Sequence, residues 1–79
     1  ERRLVRTPAV SPDGTRIVFQ VQRDGVWLLD LERARMRRVL DDATAEEFVW
    51  SPSGDSIAFH ALRGGSYGLW RLSLANSAN

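Results

Sequence analysis

Two stretches of this 79-residue chain repeat one another, and the repeat limits the folds that the chain can adopt. Residues 9–19 match residues 49–59 at Ser, Pro, Gly, Ile and Phe, in the register that places residue 51 on residue 11. We call this register the repeat offset. Two further identities follow at the repeat offset, Arg23/Arg63 and Gly25/Gly65. The second copy then has three extra residues, and after them the matching pairs are Trp27/Trp70, Leu29/Leu72 and Leu31/Leu74. Such a period is typical of folds that stack one small structural unit upon the next.

Alternating side chains predict short strands after each shared segment. Residues 16–22 place Ile17, Phe19 and Val21 on one face of a strand and polar side chains on the other. Asp24 and Gly25 then predict a hairpin turn into a second strand over residues 26–31.

A third, arginine-rich strand is predicted over residues 36–40, where its charges suit a sheet edge. A helix over residues 31–40 is the main alternative, because that stretch is rich in good helix formers, although it has no capping signal. The second copy repeats the pattern over residues 48–50, 56–61 and 67–74, and residues 75–79 are predicted to fray.

A Ser-Pro-x-Gly tetrad joins the first two strands of each copy. Proline presets φ for a turn, glycine accepts a positive φ, and a serine or aspartate oxygen can bind the open amides. We therefore predict a structural role for the turn residues Ser11, Pro12, Asp13, Gly14, Ser51, Pro52, Ser53 and Gly54.

These motifs resemble the WD40-like β-propeller repeat of the TolB type. The resemblance is carried by Ser-Pro-Asp-Gly followed by Ile-Val-Phe, Asp-Gly and Trp-Leu-Leu-Asp-Leu in the first copy, and it extends over almost the whole chain. The second copy departs from the family pattern at Ser53 and Ser73, where aspartate is usual, and we expect a weaker turn there.

The predicted fold is all-β, with propeller blades that are four-stranded antiparallel sheets. Residues 1–7 are predicted to be a D-type strand that completes a neighbouring or last blade, residues 8–47 blade one, and residues 48–79 a second blade without its D strand. The strand order is then D-ABCD-ABC, within a ring of six to eight blades. Inter-blade packing is assigned to the aromatic residues Trp27, Trp50, Trp70, Phe19 and Phe59.

The resemblance implies a non-catalytic scaffold that binds proteins or peptides. Two blades cannot close a ring, so we expect partners that are other copies of the chain or further blades of a parent propeller, from which the chain was excised. Alternatives are an accessory propeller of a prolyl-oligopeptidase-like hydrolase, or an extracytoplasmic sensor domain of a bacterial kinase or regulator. Similar repeats occur in the periplasm and in other compartments, so the resemblance does not assign a location.

Candidate chemistry is sparse, and no cofactor, metal site or enzymatic activity is predicted. His60 could serve a hydrolase only with Ser11 or Ser51 and with Asp13 or Asp55, yet the turns need those serines and the Gly-x-Ser-x-Gly motif is lacking.

The other charged and aromatic groups have structural explanations. The acidic connection over residues 41–47 lacks the spacing of a calcium loop. An exposed charged edge explains Arg33, Arg35, Arg37 and Arg38, and core packing explains the tryptophans better than ligand stacking with Tyr67.

Composition limits the remaining classes of function. The chain has no cysteine, which excludes disulfides and thiolate zinc sites, and 11 basic residues nearly balance 10 acidic ones. That balance gives no reason to expect nucleic acid, and no apolar stretch is long enough for a membrane span. Every one of these basic residues is arginine, which hints at a bacterial source with a GC-rich genome.

Overall fold

The computed structural model describes residues 4–74, which form seven strands and contain no helix. The strands are β1 (Val5–Val10), β2 (Arg16–Val21), β3 (Gly25–Asp30), β4 (Arg35–Leu40), β5 (Glu46–Trp50), β6 (Ser56–Arg63) and β7 (Ser66–Ser73). The all-β prediction is confirmed, and the helical alternative over residues 31–40 is excluded because β4 pairs with β3. Over residues 4–74, accordingly, no helix is long and apolar enough to cross a membrane.

The strands form two antiparallel sheets. The first sheet has the order β1-β2-β3-β4, and the second has the order β5-β6-β7. β4 is an edge strand, as its arginines predicted.

The predicted boundaries need two corrections. Residues 5–7 do not form a separate D-type strand, because they belong to β1, which pairs with β2 of the same sheet. Residues 1–3 of that predicted strand, and the predicted frayed end at 75–79, lie outside the described residues. The boundary between residues 47 and 48 falls inside β5, because pairing with β6 already begins at Glu46.

The first two strands of each sheet pair in the same register. Arg6 lies opposite Gln20 and Val10 opposite Ile17 in the first sheet, while Glu46 lies opposite His60 and Trp50 opposite Ile57 in the second. A bulge interrupts both pairings at the same point, and a residue with positive φ sits in each bulge: Thr7 (48°) and Glu47 (60°). The repeat offset therefore relates these pairs and bulges of the two sheets, just as it relates their sequences.

One hydrophobic core lies between the two sheets. Its buried members are Val18, Val26, Leu28, Ala45, Phe48, Trp50, Ile57, Phe59, Ala61 and Leu74. Because strand side chains alternate, Val18, Val26 and Leu28 define the inner face of the first sheet, and Ile57, Phe59 and Ala61 that of the second.

The first sheet is apolar on both faces. Ile17, Phe19 and Val21, which the alternation predicted to form the apolar face, lie on its outer face, and Phe19 is buried without belonging to the core cluster. The neighbouring Val18 faces the core instead. The alternation was correct, but it did not identify which face meets the other sheet.

Candidate functional site

The first tetrad is a turn held together by one carboxylate. Gly14 N donates to Ser11 O (2.9 Å), and Arg16 N donates to Ser11 Oγ (3.0 Å). Asp13 Oδ1 accepts hydrogen bonds from Ser11 Oγ (2.8 Å), Thr15 N (3.0 Å) and Thr15 Oγ1 (2.8 Å). These hydrogen bonds, that of Ser11 foremost, lower the pKa of Asp13 from 3.8 to about 2, since they favour the charged form.

The second tetrad has the same backbone with its side chains exchanged. Gly54 N donates to Ser51 O (2.9 Å), and the φ of Gly54 (79°) matches that of Gly14 (78°). Asp55 Oδ1 accepts from Ser53 Oγ (2.7 Å) and Ser51 Oγ (3.2 Å), and these bonds, with Ser53 first, lower the pKa of Asp55. The sequence predicted a weaker turn at Ser53, but Asp55 supplies the carboxylate two positions later.

Arg16 and Trp50 join the two sheets beside these turns. The guanidinium carbon of Arg16 lies 4.7 Å from the centroid of the Trp50 ring, and Arg16 Nη2 donates to Gly54 O (2.6 Å). Trp50 Nε1 donates to Ala9 O in β1 (2.9 Å). A Cβ at Gly54 would lie 2.7 Å from Arg16 Nη2, so this glycine also makes room for the arginine.

Gln20 is the buried polar link between the sheets. Its side chain is on the inner face of the first sheet, where Nε2 donates to Ala43 O (2.8 Å) and Ala45 O (2.6 Å) of the segment that enters the second sheet. Alternation predicted a polar face for Gln20 and did not predict this role. The available signal was Val18, an apolar residue two positions before Gln20 on the face that was predicted to be polar.

The aromatic residues that were predicted to pack between blades lie in three different places. Trp50 and Phe59 lie in the core, where the Phe59 ring is 6.1 Å from that of Phe48. Phe19 and Trp27 lie opposite one another on the outer face of the first sheet. Trp70 points to the inner side of the second sheet but is 42% exposed, with the Arg63 guanidinium 4.3 Å from its ring centroid.

Both outer faces carry exposed apolar side chains. On the first sheet these are Val5, Val10 and Met36, and on the second they are Val49, Leu62, Tyr67 and Leu69. Leu69 is the most exposed of them, at 76%. At these side chains, each outer face of the described part of the chain, residues 4–74, is open to solvent.

His60 lies on the outer face of the second sheet, away from the turn serines. Its Nδ1 is 3.0 Å from Glu47 Oε1, while the Ser51 hydroxyl binds within its own turn. The serine-histidine pair that a hydrolase would need is therefore not assembled from these two residues.

Within the acidic connection over residues 41–47, Asp42 makes structural bonds. Asp42 accepts hydrogen bonds from Thr44 and forms an ion pair with Arg63 (3.2 Å). Burial raises the pKa of Asp42, but these hydrogen bonds outweigh it, so the net shift is downward. Within residues 4–74, no three His, Cys, Asp or Glu side chains are grouped to hold a metal ion.

The arginine cluster is spread over the edge strand and its turn. Arg33 pairs with Asp30 and Arg38 with Asp24, each at 2.9 Å. Arg35 and Arg37 line a cleft of about 330 Å³ that acidic residues, among them Asp13 and Asp30, also line. Charges of both signs therefore meet in this cleft, which does not form a uniformly basic surface.

Comparison with known proteins adds no relative to this description. The chain matches no protein-family model and no curated protein.

Proposed function

We propose that the chain is a non-catalytic repeat unit of a propeller-type scaffold, whose sheets bind further sheets of the same kind. The partner is another copy of the chain or a further blade of a longer propeller. The resemblance of the tetrads to the TolB-type repeat agrees with this proposal but does not carry it.

The observation that carries the proposal is the asymmetry of the contact between the two sheets. The first sheet contributes the face with Val18 and Gln20, and the second contributes the face with Ile57 and Phe59. At the repeat offset, Ile57 and Phe59 correspond to Ile17 and Phe19, which lie on the free face of the first sheet. The contact therefore joins two different faces of equivalent sheets.

Such a contact leaves one face of each sheet uncovered, on opposite sides of the two-sheet stack. The free outer face of the first sheet is equivalent to the face of the second sheet that lies in the contact. The free outer face of the second sheet is likewise equivalent to the face of the first sheet that lies in the contact. A second copy can therefore extend the stack by the same contact, head to tail, and the stack ends only if the rotation closes a ring. Exposed apolar area on both faces favours this association.

Sedimentation velocity at micromolar concentration tests the proposal, with one aspartate placed on each face. Val10→Asp blocks the outer face of the first sheet, and Leu69→Asp blocks that of the second. We expect the wild type to associate and each variant to be monomeric, while an equimolar mixture forms a dimer through the two intact faces.

Ala34→Asp is the matched control, because Ala34 is exposed in a turn with a positive φ that aspartate tolerates. It should associate as the wild type does. A wild type that stays monomeric at high concentration, or variants that associate unmixed, would overturn the proposal.

A further inference from the structure

We infer that His60 is the polar docking contact for a second copy of the chain, whose Val5 carbonyl it binds. This inference rests on the proposed stacking and specifies one contact within it. Its basis is the correspondence between His60 in β6 and Gln20 in β2, which the repeat offset places on one another.

The two residues have the same place in their sheets. Gln20 lies opposite Arg6 just before the bulge of β1, and His60 lies opposite Glu46 just before the bulge of β5. Gln20 is covered by the next sheet, whereas His60 is 48% exposed on a face that no described residue covers.

The carbonyl that Gln20 binds also has an equivalent. Ala45 O accepts the hydrogen bond from Gln20, and the repeat offset places Ala45 on Val5. Ala45 is fully buried, but Val5 is 58% exposed on β1. If a second copy repeats the internal contact, its Val5 carbonyl arrives at His60.

Glu47 determines which ring nitrogen can make this contact. A carboxylate 3.0 Å from Nδ1 holds the proton of a neutral imidazole on Nδ1, and Nε2 is then an acceptor. A carbonyl offers no proton, so Nε2 can bind it only when the imidazole is protonated and both nitrogens donate. Association should therefore strengthen as the pH falls through the range in which histidine titrates.

Other ionisable groups share this surface. The carboxylates of Glu46 and Glu47 on β5, and the guanidinium of Arg71 and the phenol of Tyr67 on β7, lie on the same face as His60. A second copy adds Arg38 from the outer face of its first sheet.

The test compares sedimentation equilibrium of the full chain at about pH 5.5 and about pH 7.5. We expect the wild type to associate about tenfold more tightly at the lower pH, as a charge-assisted hydrogen bond allows. His60→Gln carries an amide donor at every pH, as Gln20 does, and should associate equally at both. The ¹⁵N chemical shift of His60 Nε2 should report protonation on association.

The outcomes separate this inference from the stacking proposal. A wild type that associates equally at both pH values, and as tightly as His60→Gln does, overturns the role of His60 and leaves the stacking intact. Absence of association in both proteins at both pH values overturns both. A pH dependence that persists in His60→Gln assigns the effect to another group and also overturns the inference.

Discussion

Asp13 and Asp55 hold equivalent turns from positions that are not equivalent. Asp13 is the third residue of its turn and binds Thr15 two residues later, whereas Asp55 stands where Thr15 would be and binds Ser53 two residues earlier. The carboxylate and the hydroxyl have exchanged places, and in both turns the carboxylate also accepts from the first serine. Each turn therefore has one carboxylate among its hydroxyls.

This exchange predicts a compensating pair of substitutions. Asp55→Thr leaves the second turn without a carboxylate and should destabilise the protein, because the hydrogen bonds that Ser51 and Ser53 donate to it are lost. The double variant Ser53→Asp with Asp55→Thr recreates the first turn and should recover most of that loss. Urea denaturation followed by circular dichroism measures both. Equal stability of the single and double variants would contradict the exchange.

Acid should loosen the first turn over a defined range of pH. The pKa of Asp13 is about 2 in the folded chain against 3.8 ordinarily, so the folded state favours the charged form. This contribution to stability is complete above pH 3.8 and disappears as the pH falls towards 2. Melting temperatures across this range should fall less steeply for Asp13→Asn than for the wild type. Parallel curves would show that another group causes the acid sensitivity.

Gln20 should be costly to remove although it is a single neutral side chain. Gln20→Ala leaves the Ala43 and Ala45 carbonyls without this donor at the contact between the sheets, and we expect a loss of about 1–3 kcal/mol. Gln22→Ala is the matched control, since it makes the same change two residues further on, where the side chain does not bind those carbonyls. Equal losses in urea denaturation would argue against the buried link.

Gly25 should tolerate no side chain, because the main chain of β4 approaches it closely. A Cβ at this position would lie 2.5 Å from Leu40 O, a backbone atom that cannot move without shifting the pairing of β3 with β4. Gly25→Ala should therefore destabilise the first sheet by at least about 1 kcal/mol. At Gly68 in β7 the nearest atom would be 3.6 Å away, so Gly68→Ala should be close to neutral. Thermal melts of the two variants compare them directly.

The residue pattern alone was sufficient for most of the strands and for the turns. Period-two alternation, the two tetrads and the glycine-containing hairpins are local signals, since neighbouring residues decide φ, ψ and the direction of each side chain. They placed β2, β3, β6 and β7 to within a few residues. They also predicted that Ser11 and Ser51 are turn residues. Each serine hydroxyl donates a hydrogen bond to a carboxylate and accepts one from a backbone amide.

Only the tertiary structure decided which face of each sheet meets the other. The more apolar face of β2, which carries Ile17 and Phe19, lies outside, whereas the face with Gln20 meets the other sheet. The choice depends on residues far away in the chain, which alternation does not describe. The inner position of Gln20 and the stacking of Arg16 on Trp50 follow from that packing, whereas β1 extends back to Val5 because it pairs with β2. The exposure of His60 also follows from that packing, because its face stays open where the face of Gln20 is covered.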